Sequence, residues 1–134
     1  MENNPVVAAL QREQASALVL FRDLHLLFEE HADQVLASID ELAERALMVD
    51  GKPLADPAQY LPASLVRPSE GELAVRQMVQ EAIASHEKII EAMHGDADVA
   101  TRAGDIGTAD LFTRLVQVHQ KARWFLREIA RKES

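Results

Sequence analysis

The stretch HLLFEEHADQVLASIDELAER, residues 25–45, decides how this chain reads. It holds two pairs of metal-ligand residue types, His25 with Glu29 and Asp40 with Glu44, each pair four residues apart. With His25 at zero on a helical wheel, Phe21, Leu24, Phe28, Val35, Ile39, Leu42 and Ala46 fall between about −100° and −40°. That narrow apolar stripe packs on the rest of the chain. Leu36, Glu29, Asp40 and Glu44 fall at about 20°, 40°, 60° and 100°, a second face beside the stripe. Glu29 and Asp40 are separated by about 16 Å along the axis, whereas metal–ligand bonds are near 2 Å. One helix cannot bring both pairs to one ion. An antiparallel copy crossing near position 34 or 35 can, setting His25 and Glu29 of one chain against Asp40 and Glu44 of its mate. A two-fold axis then makes two identical sites. The same residues also fit a solvated helix flank, with Glu44 in an i,i+4 pair and His25 satisfied beside the core.

Outward from this stretch the chain reads as all-helical. Ala, Leu, Glu, Gln and Arg dominate, all good helix formers, and aromatic residues make up 4%. Pro5 suits a first helical position. No Gly or Pro interrupts the pattern from there to about Val49, where Asp50-Gly51 offers a left-handed cap and Pro53 blocks continuation. An unbroken helix over 5–49 would be about 67 Å long, too long to pack fully on its partners. A long connection with Pro53, Pro57, Pro62 and Pro68 follows, and 57–61 predicts one helical turn within it. Ser69 with Glu72 matches a capping box, so a long helix is expected from there to about Arg102, tolerating Gly95 and ending at Gly104. Thr108 is expected to cap a last helix reaching about Arg131. Leu73, Met78, Val79, Ile83 and Ile90, then Leu111, Leu115, Val118, Trp124 and Ile129, recur at helical intervals.

The 134 residues fit one domain. The count of 14 Lys and Arg against 22 Asp and Glu gives a net charge of −8. That balance argues against a broad nucleic-acid surface and suits attraction of metal cations. The absence of cysteine removes disulfides, thiolate metal sites and Cys nucleophiles together. No signal peptide pattern and no membrane span is read, so a soluble cytoplasmic protein is expected.

The segment FRDLHLLFEEHADQVLASIDELAERAL, residues 21–47, resembles the second helix of the Dps proteins, the mini-ferritins named as DNA-binding proteins from starved cells. The family pattern is a His, an acidic residue four on, then Asp-x-x-Ala-Glu-Arg, here His25, Glu29 and Asp40 to Arg45. GDIGTADLFTRLVQVHQKARWFLREI, residues 104–129, is similar to the family's final turn and last helix. The resemblance implies a ferritin-like four-helix bundle with a short extra helix in the middle connection, assembled as a dodecamer built on two-fold dimers. It implies a ferroxidase that oxidises Fe(II) with hydrogen peroxide or oxygen and stores ferric mineral. His25 and Glu29 of one subunit with Asp40 and Glu44 of its mate are then the ligands, for iron or for zinc in its place. Carboxylate oxygens with imidazole suit iron.

One departure stands out. The family carries a His-Trp segment and a reversing turn before the second helix, and here REQASALVLFRDLH runs straight through. The residue twelve before His25, where that His would lie, is Glu13. The first helix is therefore truncated or fused to the second, and catalysis is expected to be impaired. The alternative reading is a non-catalytic shell or helical interaction protein.

Glu91-x-x-His94 is a single Glu-x-x-His, where di-iron bundles use two. His86 and His94 are read as surface or contact residues, and His31 and His119 as needing no metal. Asp105 and Asp110 flank a helix N-terminus, where they stabilise dipole and turn. The resemblance puts them near three-fold pores that guide Fe(II), as metal-binding residues. Trp124 is expected to be buried. The residues 1–7 have no Lys or Arg, and the end offers Arg131 and Lys132, so DNA binding is expected to be weak or absent.

Overall fold

Asn4 opens the first helix by accepting hydrogen bonds from the backbone N–H groups of Val6 and Val7, at 2.9 and 3.4 Å. The computed structural model describes residues 4–24, 29–69 and 74–132. They form helices α1 (Pro5–Leu24), α2 (Glu29–Met48), α3 (Pro57–Ala63), α4 (Val75–Arg102) and α5 (Ile106–Lys132). There is no strand among the described residues. The chain is an all-α four-helix bundle, α1, α2, α4 and α5, with the short α3 in the long middle connection.

The unbroken helix over 5–49, read as too long to pack, does not form. Helix α1 ends at Leu24 and α2 starts at Glu29, and the two pack side by side as one hairpin, with α4 and α5 as the other. Of the two readings of the first helix, truncated or fused to the second, fusion is overturned: α1 is a separate helix of 20 residues, against 28 in α4 and 27 in α5. The physical reason is burial: a straight rod would leave Leu10, Ala17, Val19, Val35 and Leu42 without the shared core they reach here. Residues 25–28, His25 among them, lie outside the described residues.

Across the hairpins, α1 packs on α4 and α2 on α5, while α3 leans on α1. The core is built from Leu10, Leu42, Ile89, Met93, Phe112, Leu115 and Leu126. Truncating any one of these to Ala removes roughly 2–5 kcal/mol. The stripe read on α2 is the buried one: Val35, Ile39, Leu42 and Ala46 face inward.

Helix ends differ in detail from expectation. At the end of α2 it is Asp50, with φ 66°, that takes the left-handed conformation. Gly51 is needed for a different reason: a Cβ there would lie 2.6 Å from Val7 Cγ1 of α1. Helix α4 begins at Val75 and not at Ser69; the Ser69 hydroxyl donates instead to Glu81 Oε2 at 2.7 Å, and Glu72 and Leu73 lie outside the described residues. Helix α5 is capped by Asp105, whose Oδ1 accepts from the Thr108 N–H at 3.0 Å. Thr108 is the third residue of that helix rather than its cap.

The middle connection is strapped along α1 by side chains. Gln14 donates to the Leu54 carbonyl at 3.0 Å and accepts from the Leu54 N–H at 2.9 Å. Ser16 Oγ accepts from the Leu65 N–H at 3.0 Å, and Gln11 donates to the Lys52 carbonyl at 2.8 Å. Among the described residues no helix is long and apolar enough to cross a membrane.

Candidate metal site on the second helix

Glu29, Asp40 and Glu44 are all exposed on α2, and the large apolar residue between them, Leu36, is 43% exposed. Helical periodicity puts the four on one flank, outside the buried stripe. Asp40 and Glu44 lie one turn apart; Glu29 is about 16 Å away along the axis. Within one chain these groups do not converge, and no group of three or more ligating side chains suited to a metal occurs among the described residues. Among those residues, none of the three carboxylates carries an ion pair. His25, the fourth candidate, lies outside the described residues.

The residues that follow Asp40 and Glu44 behave differently. Glu41 pairs with Arg114 of α5 at 2.8 Å. Arg45 donates from Nη2 to Asp105 Oδ1 at 2.8 Å and from Nε to Thr108 Oγ1 at 2.9 Å. Thr108 Oγ1 in turn donates to Asp105 Oδ2 at 2.5 Å. Burial works to raise the Asp105 pKa, but the Thr108 hydroxyl and N–H and the Arg45 guanidinium outweigh it and hold the carboxyl below its usual range. Both oxygens of Asp105 are thus engaged within the chain. Asp110 is exposed and close enough to Arg114 to help raise its pKa, behind the Glu41 hydrogen bond. Between α2 and α5 lies an open pocket of about 210 Å³, lined by Glu44, Arg45, Met48, Gly107 and Arg114 among others.

Several polar residues belong to the interior, which single-helix reading missed. His86 is 1% exposed and His119 2% exposed, and their Nδ1 atoms are 2.8 Å apart across α4 and α5. Of the two readings of His86, surface or contact, the surface one is overturned and a buried contact between helices is found. Burial pushes His119 down to about 4, and burial, then His119, His31 and Arg123, push His86 well below its ordinary value. Both imidazoles are neutral near pH 7. His31 is buried and meets Phe125 edge-on, with centroids 5.2 Å apart. Glu13 of α1 is 1% exposed and sits against Asp96 of α4, with Arg12 bonded to both. Burial, then the hydrogen bond and charge of Asp96, push Glu13 up to about 9 against the pull of Arg12. The signal for these residues was in the stripes: His86 falls in step with Val79, Ile83, Ile90 and Met93, and His119 with Phe112, Leu115, Ala122 and Leu126.

Glu91 and His94 are exposed. Trp124, expected in the core, is 59% exposed, because Ala122 and Leu126 take the inward positions beside it.

Comparison with known proteins places the fold. A model of the ferritin-like domain matches residues 12–134. A Dps structure from Thermosynechococcus elongatus is 58% identical, covering 92% of this chain and 88% of that one, with a TM-score of 0.88. DNA protection during starvation protein 1 of Deinococcus radiodurans is 34% identical over 110 residues, 81% of this chain and 53% of that protein. General stress protein 20U of Bacillus subtilis is 34% identical over 107 residues, 80% of this chain and 74% of that protein. The chain thus spans little more than half the length of the Deinococcus relative.

Proposed function

Because this chain belongs to the ferritin-like family, and within it to the Dps proteins, we propose that it stores and detoxifies iron. Fe(II) is the substrate, oxidised by hydrogen peroxide or oxygen, and the ferric product is held inside a dodecameric shell built on two-fold dimers. The ferroxidase site is shared between two copies: His25 and Glu29 of one chain act with Asp40 and Glu44 of the other. Zinc is the substitute for iron in the same donor set. DNA binding is weak in this reading, since the net charge is −8.

The observation that carries the reading is the exposed flank of α2. Glu29, Asp40 and Glu44 leave their oxygens free of ion pairs among the described residues, while the neighbours Glu41 and Arg45 are tied to α5. An exposed acid pair beside an exposed Leu36 is a surface that a second copy covers, which supplies the separated half of the site. Hard oxygen donors with an imidazole suit Fe(II) and leave positions open for the oxidant.

A second reading has one observation in its favour. Glu13, at the place of the family's missing His, is buried and engaged with Arg12 and Asp96, so that position offers no imidazole to iron. In that reading the chain forms a shell or helical interaction partner without catalysis.

One experiment separates the two. Metal-free protein receives Fe(II) and peroxide under anaerobic conditions, and ferric absorbance is followed beside the Asp40→Ala/Glu44→Ala variant. The ferroxidase reading expects the double variant to be at least about a hundredfold slower. Equal rates reject it. Particle mass tests the shell independently: a dodecamer of 14.9 kDa chains is expected, and a stable monomer removes any shared site.

A further inference from the structure

The four acidic and basic residues at the end of α2 alternate in role. Asp40 and Glu44 are exposed and carry no ion pair among the described residues. Glu41 and Arg45, each the next residue along, reach α5. Successive residues on a helix are 100° apart, so each anchor points a quarter-turn or so away from the carboxylate it follows. Residues 41 and 45 are one turn apart, as are 40 and 44, and the two anchors therefore form a stripe parallel to the carboxylate pair.

We propose that Glu41 and Arg45 are positioning residues, which fix the rotation of α2 against α5 and thereby the direction in which Asp40 and Glu44 meet Fe(II). This rests on the ferroxidase reading above and deepens it.

The Arg45 end of the device is built closely. Its guanidinium forks onto Asp105 Oδ1 and Thr108 Oγ1, at 2.8 and 2.9 Å. Asp105 is itself held by the Thr108 N–H and hydroxyl. The plane of the guanidinium lies over Gly107, where a Cβ would be 2.5 Å from Nη2, 3.0 Å from Cζ and 3.2 Å from Nη1. Only a residue without a Cβ leaves room for the fork, and Nη1 then rests 3.9 Å from Met48 Sδ. A lysine cannot reproduce this planar two-point contact.

The Glu41 end is looser. Its pair with Arg114 has side chains 39% and 54% exposed, and Asp110 adds to the charge around Arg114. Such a pair contributes little to stability. Its value is angular: a carboxylate about 6 Å from the helix axis moves by about 2 Å for a rotation of about 20°, the length of a metal–ligand bond.

The test uses Arg114→Glu in the full-length assembled protein, with initial rates of peroxide-driven oxidation measured against Fe(II) concentration. A purely electrostatic role for Arg114 makes this variant bind Fe(II) better, because a cation beside the acid pair becomes an anion. Positioning gives the opposite sign. The expected result is a KM for Fe(II) raised about tenfold, with the melting temperature and particle mass unchanged. Adding Glu41→Arg restores the pair with its polarity exchanged and brings KM back to within about threefold of wild type. Gly107→Ala, which alters no charge, is expected to raise KM in the same direction by displacing Arg45. An Arg114→Glu KM that falls or stays level, or a double variant no better than the single, overturns the inference and leaves the ferroxidase reading standing. A wild-type protein that does not oxidise Fe(II) overturns both.

Discussion

Helix α4 meets its neighbours through two buried polar contacts ten residues apart, and they are made of opposite chemistries. Toward α5 it offers His86 to His119; toward α1 it offers Asp96 to Glu13. Imidazoles lose their charge easily, so burial, helped at His86 by the charges of His119, His31 and Arg123, leaves the histidine pair neutral near pH 7 with one ring donating to the other. Two carboxyls cannot both stay ionised in the same space. Glu13 retains its proton, and Arg12 balances what charge remains. The difference shows two routes to a polar core in one bundle: neutralise by burial, or keep one carboxyl protonated beside a cation.

The contrast is broken most directly by removing the cation. Arg12→Ala leaves the acid pair without its counter-charge and is expected to destabilise the protein by about 2–3 kcal/mol at pH 7, toward the low side because Arg12 is partly solvated. Urea unfolding of the variant beside wild type measures it. A change below about 0.5 kcal/mol would mean that the retained proton alone suffices.

The histidine side is opened by His119→Leu, which preserves bulk but leaves His86 without its partner. The expected loss is about 1–2 kcal/mol at pH 7. The pH profile sharpens it. His119 has a folded value of about 4, below its ordinary 6.5. Its contribution is therefore fully present above pH 6.5 and is lost as the pH falls through 4. Wild-type stability drops over that acid range, and the variant is expected to drop less steeply.

The acid pair has the reverse slope. Glu13 is raised from 4.5 to about 9, so its contribution is fully present below pH 4.5 and is lost as the pH rises through 9. Glu13→Gln mimics the protonated form. It is expected to match wild type to within about 0.5 kcal/mol at pH 4, where Glu13 is protonated in both states, and to flatten the decline above that pH. Unfolding midpoints between pH 4 and pH 9 check this; an equally steep decline in the variant assigns the slope to other groups.

How much of this was legible in the sequence follows from the range of each interaction. Stripes along a helix are local, so Val35, Ile39, Leu42 and Ala46 were placed inward and Glu29, Asp40 and Glu44 outward correctly. The short helix at Pro57 was visible from its prolines. The break between α1 and α2 was not, since no Gly or Pro marks it and the packing of distant residues imposes it. Caps were misjudged where two candidates stood close: Asp105 outcompetes Thr108 because its carboxylate also receives Arg45, sixty residues earlier. The buried Glu13 and Asp96 look like surface acids until their partners, far off in the chain, are known. Trp124 was placed inside because it was counted in the helical repeat of Leu111, Leu115 and Val118, though Ala122 and Leu126 fill the inward positions. The carboxylates of the candidate site were readable as a face of α2, whereas the anchoring of that face by Arg45 and Glu41 needed the fold.

The strap along α1 has a bearing on how the polypeptide is made. Gln14 and Ser16 leave the ribosome well before Leu54 and Leu65, and Glu13 emerges long before Asp96. Helix α1 is made before the segments it binds, and its polar contacts are thus among the last to be completed. A nascent α1/α2 hairpin lacks the Leu54 partner of Gln14 and the Asp96 partner of Glu13 until those residues have emerged, which favours folding after α4 is made over earlier folding.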